Sequence, residues 1–105
     1  MKFTIIGSAR SGLAAAKLAK EKGYDIFVSE RKNREEAADA AKFLDNENIE
    51  SEFGGHTNKV FDCDEIIVSP GIPPHADIIK NALAKHIPVI SEIEFAWRHT
   101  NNPVI

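Results

Sequence analysis

The 105-residue sequence predicts an α/β fold in which a mostly parallel five-stranded sheet lies between layers of helices. Three observations predict it. Short apolar runs such as Phe3-Thr4-Ile5-Ile6, Ile26-Phe27-Val28 and Ile66-Ile67-Val68 lack strict alternation, the mark of strands buried on both faces. Segments of helical periodicity separate them, which is the rhythm of βαβ units. The first run passes directly into Gly7-Ser8-Ala9-Arg10-Ser11-Gly12, a glycine-punctuated turn that opens a small-residue helix. Together these describe one Rossmann-like, three-layer domain over residues 1–105.

The elements follow in order. Residues 2–6 form the first strand. The helix after the turn carries Ala15, Ala16 and Ala19, a flat face that can lie close to a sheet; Ser11 is available as its cap, and Gly23 ends it. Residues 25–29 form a second strand, which makes residues 2–29 a βαβ unit with a right-handed crossover. Residues 33–46 read as a helix. Asn33 and Glu36 form a capping box, and Ala37, Ala40, Ala41 and Leu44 form its apolar stripe. Residues 49–53 are a third strand, polar enough for a sheet edge. The loop 54–58 follows, with His56 expected as a surface turn residue.

Residues 65–69 form the clearest strand of the second half. It must stop at Pro70, because proline cannot continue a ladder. Pro74 suits a first helical position, and the helix over 75–85 is expected to bury Ile78, Ile79, Ala82 and Leu83. Residues 88–90 form a fifth strand. Ser91 and Glu94 then form a second capping box, opening a helix with Ile93, Phe95, Ala96 and Trp97. Pro103-Val104-Ile105 reads as the entry to a further strand, so the expectation is a domain of a longer enzyme.

Composition narrows the function. A net charge of −3 argues against non-specific nucleic-acid binding, which draws on basic patches. Hydrophobic content is 43%, and no apolar run approaches the ~20 residues of a membrane span. One cysteine, Cys63, cannot form an internal disulfide, which suits a cytoplasmic location. The expected partners therefore exclude nucleic acid and membrane.

The chemistry-bearing stretches point to an anion. A helix start offers unpaired N–H groups and the positive end of a dipole, and glycine lets a ligand approach the backbone. The dinucleotide fingerprint Gly-x-Gly-x-x-Gly has Ala9 in its middle position here. Glu30, at the end of the second strand, stands where dinucleotide folds place a ribose-binding carboxylate. Arg31, Lys32 and Arg34 surround it. Ser69-Pro70-Gly71 should occur at the same sheet edge as the Gly7 turn. Leu13 stands where an ATP loop requires lysine, and the four histidines, His56, His75, His86 and His99, have no metal-ligand spacing. No triad motif is present, so no catalytic residue is assigned. A nucleotide-binding domain without its own catalytic apparatus remains, and an NAD(P)-binding domain of a dehydrogenase or regulatory protein is its alternative.

Gly7 to Gly12, Val28-Ser29-Glu30-Arg31, Ser69-Pro70-Gly71-Ile72-Pro73 and Ser91-Glu92-Ile93-Glu94-Phe95 resemble the amino-terminal domain of the Mur ligases, over essentially the whole chain. The resemblance is strongest to the branch that adds D-glutamate to UDP-N-acetylmuramoyl-L-alanine. It implies a UDP-binding first domain of an ATP-dependent, amide-bond-forming ligase of peptidoglycan synthesis. ATP, Mg2+ and D-glutamate would be handled by further domains; this domain would hold no cofactor and be inactive alone. It also implies a UDP site made of Ser8, Ala9, Arg10, Ser11, Gly12, Glu30, Arg31, Ser69, Pro70 and Gly71. The backbone at Arg10 and Ser11 would face the diphosphate, with Gly12 at the helix start, and Ser69, Pro70 and Gly71 would flank uracil. The uracil-contacting carboxylate position falls on Glu30 or Ser29.

Overall fold

The computed structural model describes residues 1–8, 10–69, 71–73 and 76–100. Ala9, Pro70, Pro74, His75 and the 103–105 segment, which carry expectations above, lie outside the described residues. The chain runs β1 (Lys2–Ile6), α1 (Arg10–Glu21), β2 (Asp25–Glu30), α2 (Ala38–Asn46), β3 (Glu50–Phe53), a 3-10 turn (Asn58–Phe61), β4 (Glu65–Val68), α3 (Asp77–Ala84), β5 (Val89–Ser91) and α4 (Glu92–Thr100).

All four strand pairings are parallel, and the sheet order is β3-β2-β1-β4-β5. β1 is central because it is apolar on both faces. Phe3 and Ile5 join Ala15, Ala16 and Ala19 of α1, Leu44 of α2 and Phe95 of α4 in one core. Ile6 joins Phe27, Ile66, Val60 and Ala82 of α3 in the other. Two cores on opposite faces of one sheet make the three layers. Gly12, Ala15, Ala16 and Ala19 are the buried positions of α1, and their small size lets the helix lie close to the sheet. β3 is one edge strand, as its polar sequence suits, and β5 is the other. Arg98 clamps α4 to the sheet through a two-pronged pair with the buried Glu65 at 3.1 and 3.3 Å.

Several local expectations shift. The Asn33–Glu36 box forms in both directions, at 3.2 and 2.8 Å, but regular helix begins only at Ala38 because Ala37 sits at φ −110°, ψ 39°. α1 begins at Arg10, so Ser11 is inside the helix and does not cap it. Only half of the second capping box forms: the Glu94 amide donates to Ser91 Oγ at 3.0 Å, while the Glu94 carboxylate meets Arg98 at 3.4 Å. Leu83 is 56% exposed, since Ile79 and Ala82 already fill the side of the short α3 that meets the sheet. The 3-10 turn was not anticipated; four residues are too few for a periodic pattern, yet it delivers the fully buried Val60.

Candidate functional site

The chain passes from β1 at the sheet centre to β2 on one side and, after the edge is built, to β4 on the other. At such a switch point the connections leaving adjacent carboxyl ends diverge and leave a crevice. Here a cleft of 590 Å³ opens between the loops after β1, β2 and β4, with Gly7, Ser8, Glu30, Ser69 and Gly71 in its wall. This is within the usual range of ~300–1,000 Å³ for small-molecule sites. An adjoining lobe of 500 Å³ shares Gly7, Glu30, Gly71 and Ile72 and adds Arg31 and His56.

The Gly7 turn is held by backbone geometry. Its amide donates to Ser29 O at 2.9 Å, and its φ of +104° is one that side-chain-bearing residues rarely adopt. A Cβ at Gly7 would also stand 3.2 Å from Ser69 Cβ. Gly12 brings the first turn of α1 down onto that same backbone, and a Cβ there would lie 2.8 Å from Gly7 O. The helix start therefore sits directly over the strand end. No acidic side chain occupies the first turn of α1, which suits an anion at that end.

Glu30 ties two of these loops together. Its Oε1 accepts from the Ser8 amide at 2.9 Å and the Ser8 hydroxyl at 2.5 Å, and its Oε2 accepts from the Lys32 amide at 2.9 Å. Burial pushes its carboxyl up, but these donors together with the Lys32 charge outweigh burial and hold it below the ordinary carboxylate value. Ser29 is fully buried, and its hydroxyl lies between Glu52 Oε2 and His56 Nδ1, both at 2.6 Å. Of the two candidates for a base-contacting position, Glu30 lines the cleft and Ser29 does not.

The structure thus gathers Gly7, Ser8, Glu30, Ser69 and Gly71 at one cleft, with Arg31 in its second lobe. The Ser69 Oγ accepts from the Gly71 amide at 3.4 Å, folding that loop back toward the strand end. Arg10 is exposed and lines a depression with Leu13, Ala14 and Phe43 that adjoins the cleft through Ser8, Asp39 and Ala40. The Ser11 hydroxyl donates to the buried Glu92 at 3.1 Å, tying α1 to α4. Gly12 is buried beneath the turn. His56 was expected at the surface; it is half-buried and lines the cleft. The signal for it was the preceding pair Gly54-Gly55, both at positive φ, which turns the chain back toward β2 after the edge strand.

The model for the MurD N-terminal domain matches residues 2–78. The chain belongs to the MurD N-terminal domain family. Among curated relatives, the UDP-N-acetylmuramoylalanine–D-glutamate ligase of Salinibacter ruber is 40% identical over 102 residues, 97% of this chain and 22% of that protein. The protein of the same name from Cytophaga hutchinsonii is 48% identical over 99 residues, 93% of this chain and 22% of that protein. The chain therefore spans about a fifth of the length of the curated relatives it matches. Among solved structures, a murein peptide ligase from Psychrobacter arcticus superposes with a TM-score of 0.81 at 18% identity, covering 94% of this chain and 20% of that one. UDP-N-acetylmuramate-alanine ligase from Thermotoga maritima does so with a TM-score of 0.70 at 22% identity, covering 90% and 21%. At these identities the two structures share the fold of a MurD N-terminal domain.

Proposed function

We propose that this chain is the UDP-binding domain of a longer ligase that adds D-glutamate to UDP-N-acetylmuramoyl-L-alanine. The observation that carries the reading is the cleft at the switch point, lined by Gly7 and Ser8 of the first turn, by Glu30, and by Ser69 and Gly71. Membership of the MurD N-terminal family, over residues 2–78, supports the same substrate class.

The amides opening α1, at Arg10, Ser11 and Gly12, hold the diphosphate, where unpaired N–H groups and the helix dipole favour negative charge. Ser8 is kept in place by Glu30, and by its sequence position Ala9 is proposed for the same cradle. Glu30, Arg31, Ser69, Pro70 and Gly71 surround the nucleoside. The chain's work is binding and orientation. Its turn does not fit a triphosphate-activating loop, because Leu13 stands at the lysine position and packs against the core. Among the described residues no group of three His, Cys, Asp or Glu side chains could hold a metal ion. On this reading ATP, Mg2+, acyl activation and the amine of D-glutamate fall to the rest of the longer ligase. No helix of the described residues is long and apolar enough to cross a membrane, and the reading places the ligase in the cytoplasm.

Calorimetric titration of the chain tests the reading. UDP is expected to saturate one site and NAD to give no saturable heat. Saturable NAD binding without UDP binding would restore the dehydrogenase alternative.

A further inference from the structure

The seam between α1 and α4, on the outer side of the helical layer, is apolar where the exposed face of a helix is ordinarily polar. Small residues open it. Gly12, Ala15, Ala16 and Ala19 seat α1 close to the sheet, and Ala14 on its outer side is too short to fill the space above. A groove of 250 Å³ results. Apart from Ser11 and Glu92 its lining is apolar: Ala14, Ala15 and Leu18 of α1 and Ile93 and Ala96 of α4.

The groove continues into an exposed apolar pair. Among the described residues the large hydrophobic side chains left exposed are Met1, Leu83, Ile93 and Trp97. Met1 and Leu83 stand singly, and single exposed apolar residues are ordinary. Ile93 and Trp97 are different. They are 73% and 69% exposed, they lie one turn apart on the same face of α4, and Ile93 is also part of the groove wall. An exposed apolar pair continuous with an apolar groove marks a docking surface.

The size of the patch selects its occupant. Separate proteins that associate stably bury about 800 Å² on each partner. Two side chains and a groove of this volume are well short of that, so neither a second copy nor a free partner gains enough here. A segment tied to the same chain is present at an effective concentration on the order of millimolar, and a small patch then suffices. The curated relatives supply such a segment, since this chain spans about a fifth of their length. We propose that the α1–α4 face is the docking surface for the part of the longer ligase outside these 105 residues, which seats one or two apolar side chains in the groove and covers Ile93 and Trp97. Ser11, at the opening of α1, lines the same groove, so docking there fixes the position of the proposed diphosphate cradle relative to the rest of the ligase. The inference rests on the reading of the chain as one domain of a longer ligase.

The test compares hydroxyl-radical footprints of the 105-residue chain and of the longer ligase, read residue by residue by mass spectrometry. Oxidation of Trp97 and Ile93 is expected to be about fivefold slower in the longer ligase, as mostly exposed side chains enter the core of an interface, while Leu83 on α3 keeps its rate. Ile93→Asp changes an exposed position, so the chain should keep its fold and its UDP affinity. In the longer ligase the same change should return Trp97 to the oxidation rate of the chain and slow ligation by about tenfold or more, because a charge cannot be seated in an apolar groove. Equal Trp97 rates in the chain and the ligase would overturn the proposal, as would protection that survives Ile93→Asp. Protection of Trp97 that grows with the concentration of the 105-residue chain would overturn it in favour of a second copy. Protection in a longer protein that binds no UDP supports the docking surface and removes the UDP reading, whereas UDP binding with equal Trp97 rates removes only the docking surface.

Discussion

Two glycine-bearing loops meet at the cleft, and they hold glycine for different reasons. In the turn after β1, Gly7 has φ +104° and Gly12 has room for no Cβ, which would come within 2.8 Å of Gly7 O. In the loop after β4, the one contact among the described residues for a Cβ on Gly71 is Ser69 Oγ, at 3.9 Å. Glycine in the first loop is a demand of the fold; in the second the described neighbours make no such demand, which fits the proposed place of Gly71 in the ligand cleft. The contrast predicts that substitution in the first loop acts on stability and substitution at Gly71 acts on the proposed UDP binding.

Substitutions at these three glycines, and at Glu30 between the two loops, should reproduce that separation. Gly12→Val is expected to cost the most, about 3 kcal/mol or more, because the obstructing atom is backbone and cannot rotate away. Thermal or urea unfolding of the chain measures it, and a variant as stable as the parent would break the comparison. Gly7→Ala should cost about 1–3 kcal/mol through its backbone conformation and the 3.2 Å approach to Ser69 Cβ. Glu30→Gln should cost about 1 kcal/mol, since it weakens the tie to Ser8 and Lys32 at a partly exposed site. Gly71→Val should change stability by less than about 0.5 kcal/mol and still lower UDP affinity. Unchanged UDP affinity in that variant would remove Gly71 from the site.

Acid sharpens the same contrast. Glu30, Glu52 and His56 all sit below their ordinary values in the folded chain, so for each the unfolded state takes up its proton first as pH falls. Stability should decline first below the unfolded histidine value of 6.5, and again below the carboxylate value of 4.5. The groups facing His56 are Glu52, Glu30 and Arg31, with Asp77 of α3 on the same lobe. Denaturant midpoints across pH 4–7 check this. His56→Gln should abolish the first decline and keep the second; an unaltered profile in that variant would assign the first decline elsewhere.

The sequence by itself determined the strand–helix rhythm, the parallel sheet and the edge position of β3. Those follow from local patterns: unbroken apolar runs at residues 3–6 and 66–68, and polar residues at Glu50, Ser51 and Glu52. It also singled out Gly7, Glu30 and Ser69–Gly71, because turn chemistry and strand ends are local features. Tertiary structure alone decided which carboxylate or hydroxyl near the end of β2 reaches the cleft. Ser29 and Glu30 are neighbours on one strand, and alternation sends them to opposite faces only once the sheet exists. It alone brought His56 across from the edge strand to Ser29, a contact spanning 27 residues that no local pattern encodes. It likewise turned the Ser11 hydroxyl toward Glu92, 81 residues away, where a cap had been the local expectation. Periodicity can say that a side chain faces inward, but its partner there is chosen by packing between segments distant in the chain.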